Sequence, residues 1–428
     1  MKKRRREFLK QAAFTGLATA SGLFKVFAAQ PNEHDYLSSG LSSTGHGDDG
    51  DLSVIGLYGN WAAGLHGDQI PTYSFRDDKW KSIDKWRKAA RDRVMARMAI
   101  PEIGGIPKVV VNKQYNYNGL YIEELSWQLP YGRDTEAVVL KPENATGKLP
   151  AILAFHDHGG NKYFGTRKIM KTSDQQHSMM IAHQKEYYEG AAWANEIAKR
   201  GYVVLVPDAF SFASRRVMMK DVPEFMRNGL GDDNPEDPKN INAYNQWAGQ
   251  HEHTMAKSLF CAGTTWPAVF FAEDRKALDI LCSRNDVDLN RVGCAGLSGG
   301  GLRTVFMAGL DERIRCAIPV GFMTTWKDFL LNKSVNHTWM VYVPLLPGEL
   351  DFPEILGLRA PLASLVLNDI DDDLYTMPEM KRAGEILSDV YQKAGFQDRF
   401  KCSFYPGPHK FDKKMQAEAF EWFDKWLK

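Results

Sequence analysis

The chain has 428 residues and a formal net charge of +1, room for one large α/β domain with appendages and no net basic charge that would point to nucleic acid. Apolar residues make up 44% and charged ones 25%, the balance of a globular chain, and no internal repeat is visible. The five cysteines, Cys261, Cys282, Cys294, Cys316 and Cys402, leave an odd one. A disulfide framework is therefore not indicated, and Cys294 and Cys316, which fall in apolar segments, read as small core residues.

The N-terminus carries the first organised signal. Arg5-Arg6-Glu7-Phe8-Leu9-Lys10 resembles the twin-arginine export motif, with Arg4 where a Ser or Thr usually stands. A weakly apolar run follows, Ala12 to Phe24, broken by Thr15, Gly16, Thr19, Ser21 and Gly22. It is too short and too polar to span a bilayer. Lys25 near the cleavage region suits the same route. A basic tail for nucleic acid is the alternative, but it leaves Phe8-Leu9-Lys10 and the apolar run unexplained. The resemblance implies a signal peptide over 1–29, cut after Ala28 or Ala29, and a bacterial protein exported already folded. Its partner would be the twin-arginine machinery. Its place would be periplasmic or secreted, with no stable membrane association after cleavage.

Residues 30–55, rich in Ser, Gly, His and Asp, read as a flexible tether. Residues 56–134 read as an extension packed on the core. In it, Trp80, Ile83, Trp86, Ala90 and Val94 share one face of a helix expected over Ser74–Met98. Residues 106–142 read as strands. Ala151-Ile152-Leu153-Ala154-Phe155 is a buried strand, and His156-Asp157-His158-Gly159-Gly160 follows at once. A helix is expected over Tyr188–Lys199, then a strand from Tyr202 to Asp208. Residues 209–266 read as a long irregular insertion, placed where a lid or site wall belongs. Within it, His251 and His253 have a spacing that would suit a metal on a strand, but further ligands are not evident. Arg215 and Arg216 read as structural or solvated ion pairs, with contact to an acidic substrate as the rival reading.

Three segments carry the chemistry. Gly296-Leu297-Ser298-Gly299-Gly300 stands between an apolar strand and a helix-like run, the pattern of a nucleophile elbow. Gly296 and Gly300 suit a turn with no room for a Cβ. Strand Leu362–Leu367 ends in Asn368-Asp369-Ile370-Asp371-Asp372-Asp373. Strand Phe400–Tyr405 runs into Pro406-Gly407-Pro408-His409, ahead of a final amphipathic helix, Lys413 to Leu427. Serine is a poor nucleophile unless a base takes its proton, and histidine titrates in the right range. A carboxylate behind the ring fixes its tautomer. Acyl transfer also needs two donors for the oxyanion; the N–H of Gly299 and the loop backbone near His158 are the candidates. The side chains of His156 and His158 are expected to brace that loop.

Together these segments resemble the α/β-hydrolase superfamily, and within it the dienelactone-hydrolase and acetyl-xylan-esterase-like group. The resemblance covers roughly residues 135–428. It implies a mostly parallel sheet with helices on both faces, plus the N-terminal helical extension. It also implies a serine carboxylesterase that needs no cofactor, acting on a small-molecule or glycan ester. The triad would be Ser298, His409 and an aspartate. Asp372-Asp373-Leu374-Tyr375 best matches the family's acid loop, with Asp371 the alternative, then Asp369 or Asp373. Convergence of these carboxylates on a cation is a rival reading, and a solvated acidic loop is the plainer one. A prolyl-oligopeptidase-like peptidase lacks its propeller here. A catalytically silent binding protein would not need the elbow and His409.

Overall fold

The computed structural model describes residues 52–67 and 69–428. The expected export signal and most of the expected tether lie outside the described residues.

Nine strands form one sheet in the order β1-β2-β3-β5-β4-β6-β7-β8-β9. They are β1 (Val110–Tyr117), β2 (Leu120–Trp127), β3 (Thr135–Pro142), β4 (Leu149–Phe155), β5 (Val203–Pro207), β6 (Val287–Leu297), β7 (Cys316–Val320), β8 (Ala363–Asp369) and β9 (Phe400–Tyr405). β1, β2, β3 and β5 pair antiparallel in that order, and every later neighbour pairs parallel. This is the mixed, mostly parallel sheet of an α/β-hydrolase fold.

The central strands are apolar on both faces because helices cover both. Along β4, Ala151, Leu153 and Phe155 join one core cluster while Ile152 and Ala154 join the other. That is the two-residue period of a strand read out as two separate cores. The first core is shared with α2 (Ile83–Met98), α6 (Trp266–Ser283) and α7 (Gly299–Leu310). The second is shared with α4 (Trp193–Lys199) and the C-terminal helix α8 (Lys413–Leu427). Fully burying one such large apolar side chain stabilises the fold by about 1.5–3 kcal/mol.

The helical extension differs in extent from expectation. α1 covers Tyr58–His66, and α2 begins at Ile83 rather than near Ser74. Ser82 is extended and its side chain accepts the Lys85 N–H, so the chain is capped there and the preceding segment turns instead. Trp86, Ala90, Val94 and Met98 are the buried face of α2. The strands β1 and β2 are members of the same nine-stranded sheet, because β2 pairs with β3 along its whole length. The sheet therefore starts well before residue 135. The helix expected over 188–199 is two, α3 (Ser178–Tyr188) and α4, divided at Glu189, whose φ of 53° is left-handed.

The insertion at 209–266 is also more regular than its sequence suggested. It holds α5, a 24-residue helix from Pro238 to Cys261. Asp237 caps it by accepting the N–H groups of Lys239 and Asn240. Its buried face is Ile241, Tyr244, Trp247, Ala248, Glu252 and Ala256.

Candidate active site

Four loops leave the carboxyl ends of neighbouring strands and meet at one end of the sheet, where ligands bind in open α/β sheets. The elbow follows β6. Ser298 sits at φ 56° and ψ −120°, at the N-cap of α7. A non-glycine residue with positive φ is strained, and such strain gathers at functional sites. The surrounding glycines are required by contact. A Cβ on Gly296 or on Gly300 would lie 2.5 Å from the Phe155 carbonyl oxygen. The Ser298 N–H donates to the Val320 carbonyl at 2.8 Å, tying the elbow to the end of β7.

His409 follows β9. Its Nδ1 lies 2.6 Å from Asp372 Oδ2. Its ring edge packs on Gly321, directly after Val320: a Cβ there would fall 2.8 Å from Cε1. Nε2 is buried and has no hydrogen-bond partner among the described residues. Burial works against a charged ring, but the Asp372 carboxylate, its hydrogen bond and the nearby Asp369 carry the His409 pKa above the ordinary histidine value.

The four candidate acids separate cleanly. Asp372 is buried; its other oxygen, Oδ1, accepts the Leu374 N–H at 3.0 Å. Asp371 is exposed and accepts the Gly407 N–H at 2.9 Å. Asp373 is exposed, and its carbonyl accepts from Lys333 and Asn336. Asp369 is wholly buried at the end of β8. Its Oδ2 accepts the Lys410 N–H at 3.0 Å, and its Oδ1 has no partner among the described residues. Burial pushes Asp369 up to about 7. The loop is therefore solvated only in part. Asp369, Asp372 and His409 bring three possible ligand atoms within 4.8 Å of one another. The 2.6 Å contact between two of them leaves no room for an ion between that pair.

The loop after β4 packs over the elbow. A Cβ on Gly299 would sit 3.1 Å from the backbone nitrogen of His158. Both histidine side chains brace the loop. His156 bonds the Asp157 carbonyl through Nδ1 at 2.9 Å and accepts the Ala209 N–H through Nε2 at 3.2 Å. Burial drives its pKa well below the ordinary value, so the ring is neutral. His158 accepts the Gly160 N–H at Nδ1, 3.0 Å away, which leaves its proton on Nε2, 3.0 Å from Glu252 Oε1.

Several residues here escaped sequence reasoning. Beneath the loop, Asp157 accepts from His183 at 3.1 Å and from the Tyr188 hydroxyl. Lys168 donates to the carbonyls of Asp157 and His158, each at 2.8 Å. Glu252 and Lys162 form a buried pair at 2.7 Å. Residues 251 and 253 stand on α5, not on a strand. At that helical spacing they point apart: His251 stacks on Trp247 at 4.5 Å, while His253 accepts from Trp339 at 2.7 Å. The metal reading of the pair fails on that geometry. Arg215 is a buried structural cation, 2.6 Å from Glu273. Arg216 lies over the Tyr163 ring at 4.5 Å. All five cysteines are free, with Cys294 and Cys316 buried in β6 and β7.

No family model matches the chain. It is similar to YtaP of Bacillus subtilis (strain 168), provisionally named a hydrolase, at 24% identity over 307 residues, 72% of this chain and 88% of the relative. Among solved structures it resembles a Bacteroides fragilis NCTC 9343 protein provisionally named an acetyl xylan esterase, with a TM-score of 0.57, 18% identity and 81% of each chain covered. Methylesterase BT1017 gives a TM-score of 0.55 at 16% identity, over 88% of this chain and 69% of that one. A glucuronoyl esterase from Solibacter usitatus gives 0.53 at 14% identity, over 80% and 93%.

Proposed function

We propose that the chain is a serine carboxylic-ester hydrolase, with Ser298 as nucleophile, His409 as base and Asp372 as the orienting acid. One observation carries this reading. His409 gives one ring nitrogen to a buried carboxylate at 2.6 Å, while the other is buried without a hydrogen-bond partner among the described residues, on a ring packed against Gly321, the neighbour of the Val320 that holds the Ser298 N–H. A ring so held keeps its proton on Nδ1 and offers a lone pair at Nε2.

Ser298 Oγ attacks the ester carbonyl carbon while its proton passes to His409 Nε2. The Asp372 carboxylate stays ionised and stabilises the imidazolium. The carbonyl oxygen, now negative, accepts from the N–H groups of Gly299 and His158; one such donor is worth about 10²–10³ in rate. Collapse breaks the bond to the alcohol oxygen, which takes the proton from Nε2. Water then attacks the acyl-enzyme carbonyl and gives its proton to His409 Nε2; the bond from the acyl carbon to Ser298 Oγ breaks, Oγ takes the proton back from Nε2, and the acid leaves.

The substrate class we propose is an acyl group on a plant or algal polysaccharide. Support comes from the names of the structural relatives, an acetyl xylan esterase, a methylesterase and a glucuronoyl esterase, and from the braced loop and α5 walling the site. Export by the twin-arginine route, to the periplasm or beyond, belongs to the same proposal. Labelling with a fluorophosphonate tests the chemistry. Ser298→Ala should lose the label and about 10³–10⁶ in kcat with the fold intact. Retained labelling in that variant would refute the assignment.

A further inference from the structure

Lys168 packs against the oxyanion loop and has no role in the steps above. It ends a short helical turn, Thr166–Lys168, and is 0% exposed. Its Nζ donates to the Asp157 and His158 carbonyls, each at 2.8 Å. The Asp157 carbonyl has a second donor in His156. Nε2 of that ring takes the Ala209 N–H, so its proton is on Nδ1, 2.9 Å from the oxygen. The His158 carbonyl likewise accepts the Asn161 N–H at 3.0 Å. Both carbonyls are therefore doubly held. The His158 N–H between them has no acceptor among the described residues.

The Asp157 carbonyl and the His158 N–H belong to one peptide unit, which is planar and trans, so they point in opposite directions. Holding the oxygen fixes the aim of the N–H. Drawing electron density toward the oxygen also makes the N–H a stronger donor, because linked hydrogen bonds polarise one another. An ammonium does this better than a neutral donor, since a charge-assisted bond is roughly twice as strong. The peptide lies at the elbow: its nitrogen would be 3.1 Å from a Cβ on Gly299, the residue after Ser298. A loop in need of bracing alone could be held by an amide or a hydroxyl, without burying a charge.

Resting on the ester-hydrolase reading, we propose that Lys168 is a positioning residue whose ammonium, acting through the Asp157–His158 peptide, aims and strengthens the His158 N–H as an oxyanion donor. Lys168 touches no substrate. Its effect is felt where a negative oxygen forms, so it lowers the barrier and leaves substrate binding unchanged. The charge of Lys168 is set by its surroundings. Burial lowers its pKa to about 8, against the pull of Asp157 and Asp208 and with the push of Lys162. Asp157 Oδ2 is 3.7 Å away, and His183 and Tyr188 of α3 act through Asp157 Oδ1, to which both bond. As pH rises through about 8 the ammonium releases its proton to solvent, and kcat falls while KM holds.

The experiment measures kcat and KM on p-nitrophenyl acetate from about pH 6 to about 9.5. It also measures inhibition by trifluoroacetophenone, a ketone to which Ser298 would add reversibly to leave a bound oxyanion. Expected in the wild type is an alkaline limb in kcat near pH about 8, with KM steady. Lys168→Met keeps the length of the side chain but has no charge and no donor. Its kcat at neutral pH should fall by about 10- to 100-fold, part of the worth of one oxyanion donor. The inhibition constant should rise by a similar factor, KM should change little, and the alkaline limb should vanish. Lys168→Arg keeps a cation that does not titrate in this range, so it should restore kcat and hold it level at alkaline pH. A purely structural role would lower Tm but leave the kcat, pH profile and inhibition constant of folded Lys168→Met as in the wild type. That result overturns the proposal and leaves the esterase reading intact. Should neither variant fold, the wild type decides. A kcat level up to about pH 9.5 overturns the proposal, and a limb shared by kcat and ketone inhibition but not by KM supports it. A wild type that turns over no ester and takes no fluorophosphonate label removes the esterase reading, and this role with it.

Discussion

Replacing Asp372 by Asn tests the triad at its most informative point. The buried carboxylate serves two partners. Oδ1 accepts the Leu374 N–H at 3.0 Å, and Oδ2 faces His409 Nδ1 at 2.6 Å. An asparagine has only one oxygen. If that oxygen keeps the Leu374 bond, the amide NH₂ faces the ring and Nδ1 must become the acceptor. The proton then sits on Nε2, where it cannot take one from Ser298. Flipping the amide instead sets its NH₂ against the Leu374 N–H inside the protein, leaving a buried donor unpaired at about 1–3 kcal/mol. The flip would keep the productive tautomer but at that cost, so the unflipped amide prevails, the productive tautomer is depleted, and kcat should fall by ~10⁴, about 5 kcal/mol of transition-state stabilisation. Asp371→Asn is the control, because it is the same isosteric change one residue away. Asp371 is exposed and among the described residues its side chain accepts only the Gly407 N–H, which an amide oxygen accepts equally well. It should change kcat/KM by less than about threefold. Initial rates on p-nitrophenyl acetate, with a thermal melt of each variant, decide the matter. Loss in Asp371→Asn with activity kept in Asp372→Asn would refute the assignment.

Other outcomes follow from the same geometry. Because Asp372 and Asp369 hold the His409 pKa above its ordinary value against burial, kcat/KM should fall as pH drops, with its midpoint above the usual ~6.5 of histidine. A flat profile from about pH 5 to 8 would require another base. Asp369→Asn removes a carboxyl whose negative charge, present above its raised pKa of about 7, favours the imidazolium, so a midpoint lying in that range should move to lower pH. An unmoved midpoint would mean that His409 does not feel Asp369. Changing Arg5 and Arg6 together to Lys keeps the charge but removes the guanidinium forks. Periplasmic accumulation should stop while cytoplasmic extracts stay active, and normal accumulation would point to the general secretory route.

What the sequence disclosed and what it hid follow from the range of the interactions. The elbow was legible because Gly296 and Gly300 are demanded by neighbours within a few residues and by one strand beside them. β4, β8 and β9 were legible as short apolar runs ended by polar loops, while Asp372 stood out among its neighbouring aspartates only through the match of Asp372-Asp373-Leu374-Tyr375 to the acid loop of the family the chain resembles. α5 was not legible, although Asp237-Pro238 is a helix start and Ile241, Tyr244, Ala248 and Glu252 keep a helical period. The polar run Asn, Gln, His and Glu obscured that period. Glu252 was passed over because a glutamate between two histidines reads as a solvated face. It is buried because Lys162, some 90 residues earlier, comes to meet it, and a pairing across that separation leaves no local mark. The Asp157, His183, Tyr188 and Lys168 network was hidden for the same reason.

The contact between Gly299 and His158 allows the oxyanion site to be tested apart from the fold. A methyl group on Gly299 would lie 3.1 Å from the His158 nitrogen and 3.3 Å from its Cβ. The loop must yield by a few tenths of an ångström, and the group that moves is the proposed second donor. Alanine is also the better helix former by about 0.8–1.0 kcal/mol in a helix interior, and Gly299 opens α7, so global stability should not suffer much. Gly299→Ala should therefore lower kcat by roughly 10- to 100-fold, short of full loss of a donor, with KM and Tm little changed. Gly300→Ala supplies the contrast. Its Cβ would meet the Phe155 carbonyl oxygen at 2.5 Å and the His156 carbonyl oxygen at 3.1 Å. Both are backbone atoms, and Phe155 is in the central strand β4, so neither can give way cheaply. That variant should lose Tm along with activity. If Gly299→Ala keeps full kcat, the His158 amide does not serve the oxyanion, and the second donor must come from elsewhere on the loop after β4.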